Sequence, residues 1–338
     1  MQQDTIDQEN MKQVILDFPK QFRIGLEAAK NTKLAINFKL QNIIISGMGG
    51  SALPGDIFKI INNELLLTNL PILINRNYGL PSEAQKNSVV ICISYSGNTE
   101  ETISSFKEAR ERGASVLTIA SGGKLIDLSK KYHIPFAKVP SGIQPRCALG
   151  YQFSALIKIL SNLKIIKNLD ENLLDLERSL RPSNLEKEGK KLAHQLKGKI
   201  PLIYSSEHYQ YLARIWKIKF NENSKVPAFF NFFPELNHNE MTGIGECKLK
   251  SLRKELKIII LKDKKEPSKI LKRMKTLTEI FQEKEVESIF VEIKGKNIFE
   301  KVFKSILVAD WASYWFAIFQ GIDPSPVKLV EEFKKRMA

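Results

Sequence analysis

The chain has 338 residues, enough for two domains of ordinary size that each bury a core of their own. Apolar residues make up 43% of the chain and charged residues 26%, a balance that excludes a disordered protein and is typical of a globular one. Lys and Arg outnumber Asp and Glu by 52 to 37. Because the lysines are spread out, without an arginine-rich arm or a nucleic-acid motif, they indicate a solvated surface and no nucleic-acid partner.

The most apolar long segment, residues 302–322, is interrupted by Lys304, Asp310 and Gln320. It therefore predicts a helix buried in protein rather than a membrane span, and we expect no membrane partner. The N-terminus lacks the basic start and continuous apolar stretch of a secretory signal. The three cysteines form no C-x-x-C pair, so reduced thiols and a cytoplasmic location are expected.

The first 40 residues are predicted to be mostly helical. Beyond them, short β-rich apolar runs alternate with longer helical stretches. The predicted strands are 43–46, 71–76, 89–96, 115–120 and 134–139, then 202–206, 226–233, 256–261 and 286–293. Continuous apolar strands are typical of parallel sheets covered by helices on both faces.

This alternation predicts an α/β fold with two doubly wound domains, each a mostly parallel sheet flanked by helices. A long helical stretch and a polar segment separate the two sets of strands, so the boundary is expected between residues 160 and 175. We predict an N-terminal helical segment over 1–40, a first domain over 41–168, and a second over 169–338 that ends in a helix.

A glycine-rich loop follows the first predicted strand, with the sequence Gly47-Met48-Gly49-Gly50-Ser51-Ala52 before a helical stretch. Small residues there let backbone N–H groups approach an anion at a helix N-terminus, which predicts a phosphate site. The loop also fits the dinucleotide fingerprint G-x-G-x-x-G/A. That fingerprint requires an acidic residue after the next strand, where Asn75 and Arg76 stand instead; Arg76 leaves an NADP oxidoreductase as an alternative.

A second loop, Ser94-Tyr95-Ser96-Gly97-Asn98-Thr99, follows the third predicted strand and precedes another helix. Its hydroxyls and the first-turn N–H groups of the helix can bind phosphate oxygens. The alternative is an ordinary helix cap made by Asn98 or Thr99. Two such loops at adjacent strand ends favour the phosphate site.

The motifs GMGGSA, SYSGNTEET and PSGIQPRCALGY together resemble the sugar isomerase (SIS) domain, specifically the two-domain bifunctional phosphoglucose/phosphomannose isomerase family. The resemblance spans roughly residues 43 to 336 and continues through three further motifs. These are NEN at 221–223, ELNHNE at 235–240 and DPSPV at 323–327.

The resemblance implies five phosphate-binding residues, namely Gly50, Ser51, Ser94, Ser96 and Thr99. It implies that Arg146 contacts the substrate near the reacting carbons, that Glu222 is the catalytic base, and that His238 helps to open the sugar ring. The family's catalytic lysine matches Lys334 best, with Lys328 as second choice. A cofactor-free and metal-free active site is implied between the two SIS domains of a homodimer, with His238 donated by the neighbouring subunit.

Aldose–ketose isomerisation asks for the same residue types. An enediol mechanism moves a proton between C1 and C2 with one base, a task that suits the Glu222 carboxylate. A near-neutral imidazole such as His238 can shuttle a proton to the ring oxygen, and a cation at Lys334 or Arg146 can stabilise the enediolate.

Each of these residues also has a structural alternative. Glu222 could be a solvated loop residue. His238, between Glu235 and Glu240, could be a metal ligand, although no H-x-x-x-H spacing supports a metal site. Arg146 could pair with a structural carboxylate, and Lys334 could belong to the basic last turn of a helix.

The predicted function is the interconversion of glucose 6-phosphate, mannose 6-phosphate and fructose 6-phosphate. A non-catalytic sugar-phosphate-binding regulator would keep the phosphate loops without needing Glu222, His238 and a lysine together. An amino-sugar enzyme on the same fold would keep the enediol chemistry but alter the contacts at C2.

Overall fold

The computed structural model describes residues 6–337. All nine predicted strands are confirmed, with bounds that differ by a few residues at most. The strands are β1 (Asn42–Ser46), β2 (Ile72–Asn75), β3 (Ser88–Ile93), β4 (Ser115–Ala120), β5 (Phe136–Lys138), β6 (Ile200–Ser206), β7 (Phe229–Phe233), β8 (Leu256–Lys262) and β9 (Glu287–Glu292).

The helices alternate with the strands, as the sequence predicts. They are α1 (Met11–Leu16), α2 (Lys20–Ala28), α3 (Leu53–Leu65), α4 (Glu100–Glu111), α5 (Gly123–Lys131), α6 (Leu149–Asn162), α7 (Asp170–Ser179), α8 (Pro182–Gln195), α9 (Gln210–Lys219), α10 (Glu240–Gly245), α11 (Lys250–Glu255), α12 (Ser268–Glu283), α13 (Ile298–Phe319) and α14 (Lys328–Met337). In the predicted N-terminal helical segment, α2 ends at Ala28, and residues 29–40 form turns and irregular chain.

The first sheet has five parallel strands in the order β2-β1-β3-β4-β5. Every residue of β1 and β3 is buried, because helices cover both faces of a doubly wound sheet. The chain leaves β1 towards β2 on one side and returns to β3 on the other. The carboxyl ends of β1 and β3 therefore form the topological switch point, where open α/β sheets bind their ligands.

The second sheet has four parallel strands in the order β7-β6-β8-β9. Its central strand β8 buries the run Lys257–Leu261, and α12 packs over it through Met274, Leu277 and Phe281. The fold class predicted from the sequence, two doubly wound domains with parallel sheets, is confirmed by these two sheets.

The helix α13 is long and apolar enough to cross a membrane by length and composition alone. Within this protein, however, 83% of its most apolar stretch is buried, and Trp311 and Tyr314 on it are fully enclosed. A helix buried in a protein core can have the same length and apolar composition as a membrane span. The predicted buried helix over residues 302–322 is confirmed.

The chain divides into two compact units. One runs from Asp17 to Leu180, and the other combines the described residues up to Leu16 with those from Arg181 onward. We call these the first and the second unit. Of the two N-terminal helices, α1 therefore belongs to the second unit and α2 to the first. The sequence places the end of the first domain at residue 168, whereas the first compact unit extends to Leu180. The unit includes α7 because that helix contacts α2.

Candidate functional site

The glycine-rich loop begins directly after β1 and turns into α3 through a 3-10 turn, Gly49–Ala52. Gly49 has φ of +49°, in the left-handed region that favours glycine. A Cβ atom at Gly50 would lie only 2.7 Å from the backbone N of Arg146 and 2.8 Å from the carbonyl carbon of Pro145. Position 50 therefore has no room for a side chain, and the loop backbone packs directly on the segment that carries Arg146.

The hydroxyl-rich loop follows β3 and precedes α4. Ser94 is fully buried, and its Oγ donates a hydrogen bond to Thr99 Oγ1 at 2.9 Å. Gly97 has φ of +72°, and a Cβ atom there would come within 1.8 Å of the Gly122 carbonyl oxygen. Ser96 is exposed at the tip of the turn, where its Oγ accepts the Asn98 N–H at 3.2 Å.

The N-terminus of α4 lacks the side-chain cap that the structural alternative requires. Thr99 stands at the cap position in extended conformation, but its side chain makes no capping hydrogen bond. The Asn98 side chain instead accepts the Lys124 N–H at 3.0 Å, in the first turn of α5. Neither residue occupies the first-turn N–H groups of α4, so this end of the helix can accept an anion.

The two loops are joined to each other. The Oγ of Ser51, from the glycine-rich loop, accepts the N–H of Tyr95 at 2.9 Å, and both residues are buried. Together with the Ser94–Thr99 bond, this contact places all five predicted phosphate-binding residues at the carboxyl ends of β1 and β3. Glycine backbone, three serine hydroxyls and a threonine hydroxyl at a helix N-terminus form a set suited to a phosphate dianion.

Arg146 is fully buried and follows Pro145 in the segment that touches Gly50. Two buried glutamines hold this segment. The Gln152 amide donates to the Pro145 carbonyl at 3.3 Å, and the Gln21 amide donates to the Cys147 carbonyl at 2.8 Å. The backbone around Arg146 is thus fixed on both sides, next to the glycine-rich loop.

Gln21 also supplies the N-terminal cap of α6. Its Oε1 accepts the N–H groups of Gly150 at 3.0 Å and Tyr151 at 3.4 Å, whereas the cap residue Ala148 has no side-chain acceptor. A Cβ atom at Gly150 would come within 2.7 Å of the Gln21 Cβ. The sequence analysis assigned no role to Gln21, because nothing local to α2 indicates that it caps a helix more than a hundred residues away.

Arg76, which left an NADP site open as an alternative, has a structural partner. Its guanidinium donates to the Asp56 carboxylate at 2.5 Å, and Asp56 is fully buried in the first turn of α3. A carboxylate at a helix N-terminus also interacts favourably with the helix dipole. This ion pair explains a basic residue at the end of β2 without a nucleotide phosphate.

In the second unit, Glu222 lies in a π-helical turn, Phe220–Ser224, that continues α9. π-helical turns are rare, and they occur frequently at functional sites. Glu222 is half-buried, whereas Asn223 and Ser224 beside it are fully buried. The structural alternative of a fully solvated loop residue does not describe this position.

His238 is exposed at the end of a 3-10 turn, Glu235–His238, which follows β7. The two glutamates beside it have other partners. Glu240 accepts the Tyr204 hydroxyl at 2.6 Å and the Asn231 amide, and Glu235 accepts the Asn239 amide at 2.7 Å. Over residues 6–337, no group of three or more His, Cys, Asp or Glu side chains could hold a metal ion.

Glu222 and His238 lie at opposite ends of β7. Asn221, next to Glu222, accepts the Ala228 N–H at 2.8 Å, just before the strand begins at Phe229. His238 comes five residues after the strand ends at Phe233. A five-residue strand spans about 15 Å, and this length of chain lies between the two residues.

Lys334 is exposed on α14. Lys328, the first residue of that helix, lines an apolar groove of about 780 Å³, together with Asn221 and Lys225, which flank Glu222. The geometry therefore places the second-choice lysine beside the Glu222 turn, at the opposite end of α14 from Lys334.

The carboxyl end of the second sheet has a different composition. Asp263, after β8, accepts hydrogen bonds from the Tyr209 hydroxyl at 2.7 Å, the Lys265 N–H at 3.0 Å and the buried Lys301 ammonium. Burial alone would raise the pKa of the Asp263 carboxyl, but these bonds, led by the one from Lys301, outweigh burial and lower that pKa. Carboxylate and lysine thus lie after β8, the strand whose place in the sheet corresponds to β3, where the first sheet has its hydroxyl-rich loop.

Two family profiles match the chain. The bacterial phospho-glucose isomerase C-terminal SIS domain covers residues 185–337, and the SIS domain covers residues 38–141. The bifunctional phosphoglucose/phosphomannose isomerase of Caldicellulosiruptor bescii is 33% identical, covering 97% of this chain and 99% of its own. The protein of the same name from Aquifex aeolicus is 34% identical, covering 88% and 90%.

The fold has close counterparts among solved structures. The C-terminal domain of glucosamine-fructose-6-phosphate aminotransferase from Francisella tularensis superimposes with a TM-score of 0.70 at 17% sequence identity. It covers 94% of this chain and 98% of its own. At that identity the likeness concerns the fold alone.

Proposed function

Since the chain belongs to the family of bifunctional phosphoglucose/phosphomannose isomerases, we propose that it interconverts glucose 6-phosphate, mannose 6-phosphate and fructose 6-phosphate. The observation that carries this proposal is an identity of 33% extending over 97% of the chain and 99% of the relative. Both sheets and every motif that could take part in the chemistry lie inside that match. The reaction is an aldose–ketose isomerisation through an enediol, and it uses no metal or cofactor.

The phosphate of the substrate is held at the switch point of the first sheet. The backbone N–H of Gly50 and the hydroxyls of Ser51, Ser94, Ser96 and Thr99 bind its oxygens, and the α4 dipole favours the dianion. This assignment is supported by the bonds that join the two loops and by the absence of a cap from Asn98 or Thr99.

The remaining residues act on the sugar. His238 moves a proton to the ring oxygen and opens the hemiacetal, and Glu222 then transfers a proton between C1 and C2. Arg146 and a C-terminal lysine, either Lys334 or Lys328, stabilise the negative charge of the enediolate. The contact of Gly50 with the Arg146 segment supports placing this arginine near the phosphate end of the site.

The functional form is a homodimer in which His238 of one chain serves the Glu222 of the other. The support for this arrangement is that β7, which spans about 15 Å, lies between Glu222 and His238 of one chain, and that His238 is exposed, where a second chain can contact it. A second copy of the chain can bring the missing histidine without moving either element.

The proposed location is the cytoplasm. Cys92, Cys147 and Cys247 are all thiols, and the first two are buried. Cysteines kept as thiols suit a reducing compartment. The fold, that of a metabolic isomerase, is consistent with this location.

The assignment of Glu222 is tested with Glu222→Gln, which keeps the shape of the side chain but removes the base. We expect the rate of isomerisation to fall by about 10²- to 10⁴-fold, with fructose 6-phosphate affinity within a factor of about two of wild type because the phosphate loops are unchanged. Glu246→Gln, which alters an exposed glutamate, is the matched control. A near-normal rate for Glu222→Gln would show that another group is the base.

The sharing of His238 is tested by mixing two inactive variants, His238→Ala and Glu222→Gln. In a mixed dimer with exchange across the interface, one of the two sites has both natural residues. We therefore expect equal mixing to restore roughly a quarter of wild-type activity. If each site took both residues from one chain, no activity would return.

A further inference from the structure

The π-helical turn that carries Glu222 needs support from outside the segment. π-helical geometry is rare and is usually confined to a single turn within a longer helix. Here Phe220–Ser224 is followed by Lys225, whose φ of +55° lies in the left-handed region and ends the helix. The position of the Glu222 carboxylate therefore depends on whatever holds this turn in place.

The buried helix α13 provides that support. The Asn223 amide donates to Ser313 Oγ at 2.9 Å, and Ser224 Oγ donates to the Ser313 carbonyl at 2.8 Å. Ser313 Oγ itself donates to the Ala309 carbonyl at 2.7 Å, so its lone pair is directed towards the turn. One residue of α13 thus binds both residues that follow Glu222.

A buried ion pair fixes the other side of the turn. Lys219 is the last residue of α9, and its ammonium lies 2.6 Å from the carboxylate of Asp310, one helical turn before Ser313 on α13. Both side chains are at most 5% exposed. The segment that carries Glu222 is therefore attached to the same face of α13 on both sides.

Because these groups are buried, losing any one of their hydrogen bonds would destabilise the position of the Glu222 turn. Asn223, Ser224 and Ser313 are all fully inaccessible to solvent. A buried donor that loses its acceptor has no water to replace it, so removing the Ser313 hydroxyl favours a shift of the Asn223 amide and its backbone. The adjacent Glu222 would move with that backbone.

We propose that Ser313 is a positioning residue for Glu222, which it holds through Asn223 and Ser224 at the distance that proton transfer requires. The inference rests on the proposed function, since it assigns Ser313 a part in the same reaction. Ser313 touches no substrate atom. Its effect is on the proton-transfer step, because catalytic groups must be held within about 0.5 Å of the productive geometry.

The chain offers a matched control on the same helix. Ser305 is a buried serine of α13, and its Oγ accepts the Trp216 Nε1–H of α9 at 3.0 Å. It therefore also links α13 to α9, through a single side-chain bond, but away from the Glu222 turn. Ser305→Ala and Ser313→Ala remove similar buried hydroxyls and should cost similar stability.

The test measures kcat, KM and deuterium exchange at C2 of fructose 6-phosphate-derived aldoses for wild type, Ser313→Ala and Ser305→Ala. We expect Ser313→Ala to lower kcat and the exchange rate by about 10- to 100-fold with KM unchanged, and Ser305→Ala to stay within about twofold of wild type. Thermal unfolding midpoints of the two variants should fall together. Equal kinetics for the two variants would overturn the positioning role.

Two further variants keep the inference testable. If Ser313→Ala does not fold, Ser313→Cys has nearly the same volume but a weaker acceptor, and its exchange rate should still fall below that of Ser305→Ala. Asn223→Ala combined with Ser313→Ala should lower the rate no further than either change alone, because both break one bond. Additive losses would contradict the proposal. A wild-type protein that shows no exchange would instead refute the proposed function itself.

Discussion

At position 50 the requirement for glycine comes from the neighbouring chain rather than from local backbone conformation. The absent Cβ leaves room for the backbone of Pro145 and Arg146, at 2.8 and 2.7 Å from where it would lie. The sequence suggests a phosphate loop here from its glycines alone. It cannot reveal that one of them fixes the distance between that loop and a proposed substrate arginine nearly a hundred residues away.

Replacing Gly50 with alanine should therefore disturb substrate binding as well as stability. We expect Gly50→Ala to weaken fructose 6-phosphate binding by about tenfold or more, since the methyl group must displace the Arg146 backbone, and to cost about 1–3 kcal/mol of stability. Titration calorimetry and thermal unfolding measure the two effects. Gly243→Ala, where an added Cβ meets nothing within 4 Å, is the control; it should leave binding unchanged and should not lower stability, because alanine is favoured over glycine within a helix. Unaltered binding by Gly50→Ala would contradict the proposed role of this contact.

At the scale of elements, α6 is tied to the N-terminal part of the chain at both of its ends. Gln21 caps its first turn next to Arg146, and the Asn162 amide at its last turn donates to the carbonyls of Ala29 and Thr32 at 3.1 and 3.0 Å. Only the Gln21 end adjoins the proposed site. The N-terminal helix α2, which no motif assigns to the active site, thereby supports it.

Substituting the two side chains that hold the ends of α6 should have similar effects on stability but different effects on substrate binding. Gln21→Ala and Asn162→Ala should each cost about 1–3 kcal/mol, because each leaves buried polar groups unpaired. Only Gln21→Ala should raise KM for fructose 6-phosphate, by about three- to tenfold, since it loosens the segment that follows Arg146. Steady-state kinetics and thermal unfolding on both variants decide the matter. A parallel rise in KM for Asn162→Ala would mean that general loss of stability, not position, is responsible.

The central strands were predictable because they are short apolar runs such as IIIS or LKIIIL, which are typical of a strand covered on both faces. The π-helical turn was not, because NEN has no local pattern that distinguishes a π-helical turn from a loop. The capping by Gln21 and the pairing of Lys219 with Asp310 depend on residues far apart in sequence. The two predicted phosphate loops follow β1 and β3, as their sequence indicates, whereas the contacts that hold these loops and the Glu222 turn required the structure.

At the scale of the whole molecule, the two sheets have related strand orders, but different types of residue follow the carboxyl ends of their strands. The first presents glycine and hydroxyl loops, and the second presents Asp263 held by Lys301 and Tyr209. The second unit carries Glu222 and His238, the residues proposed for the two proton transfers.

The most direct test of this account follows fructose 6-phosphate by proton NMR in heavy water with purified, chelator-treated protein. The account predicts that glucose 6-phosphate and mannose 6-phosphate both appear, each with deuterium at C2, because one base exchanges its proton with solvent at the enediol. Fructose 6-phosphate that binds but yields neither aldose would contradict an isomerase and leave a sugar-phosphate-binding regulator in its place.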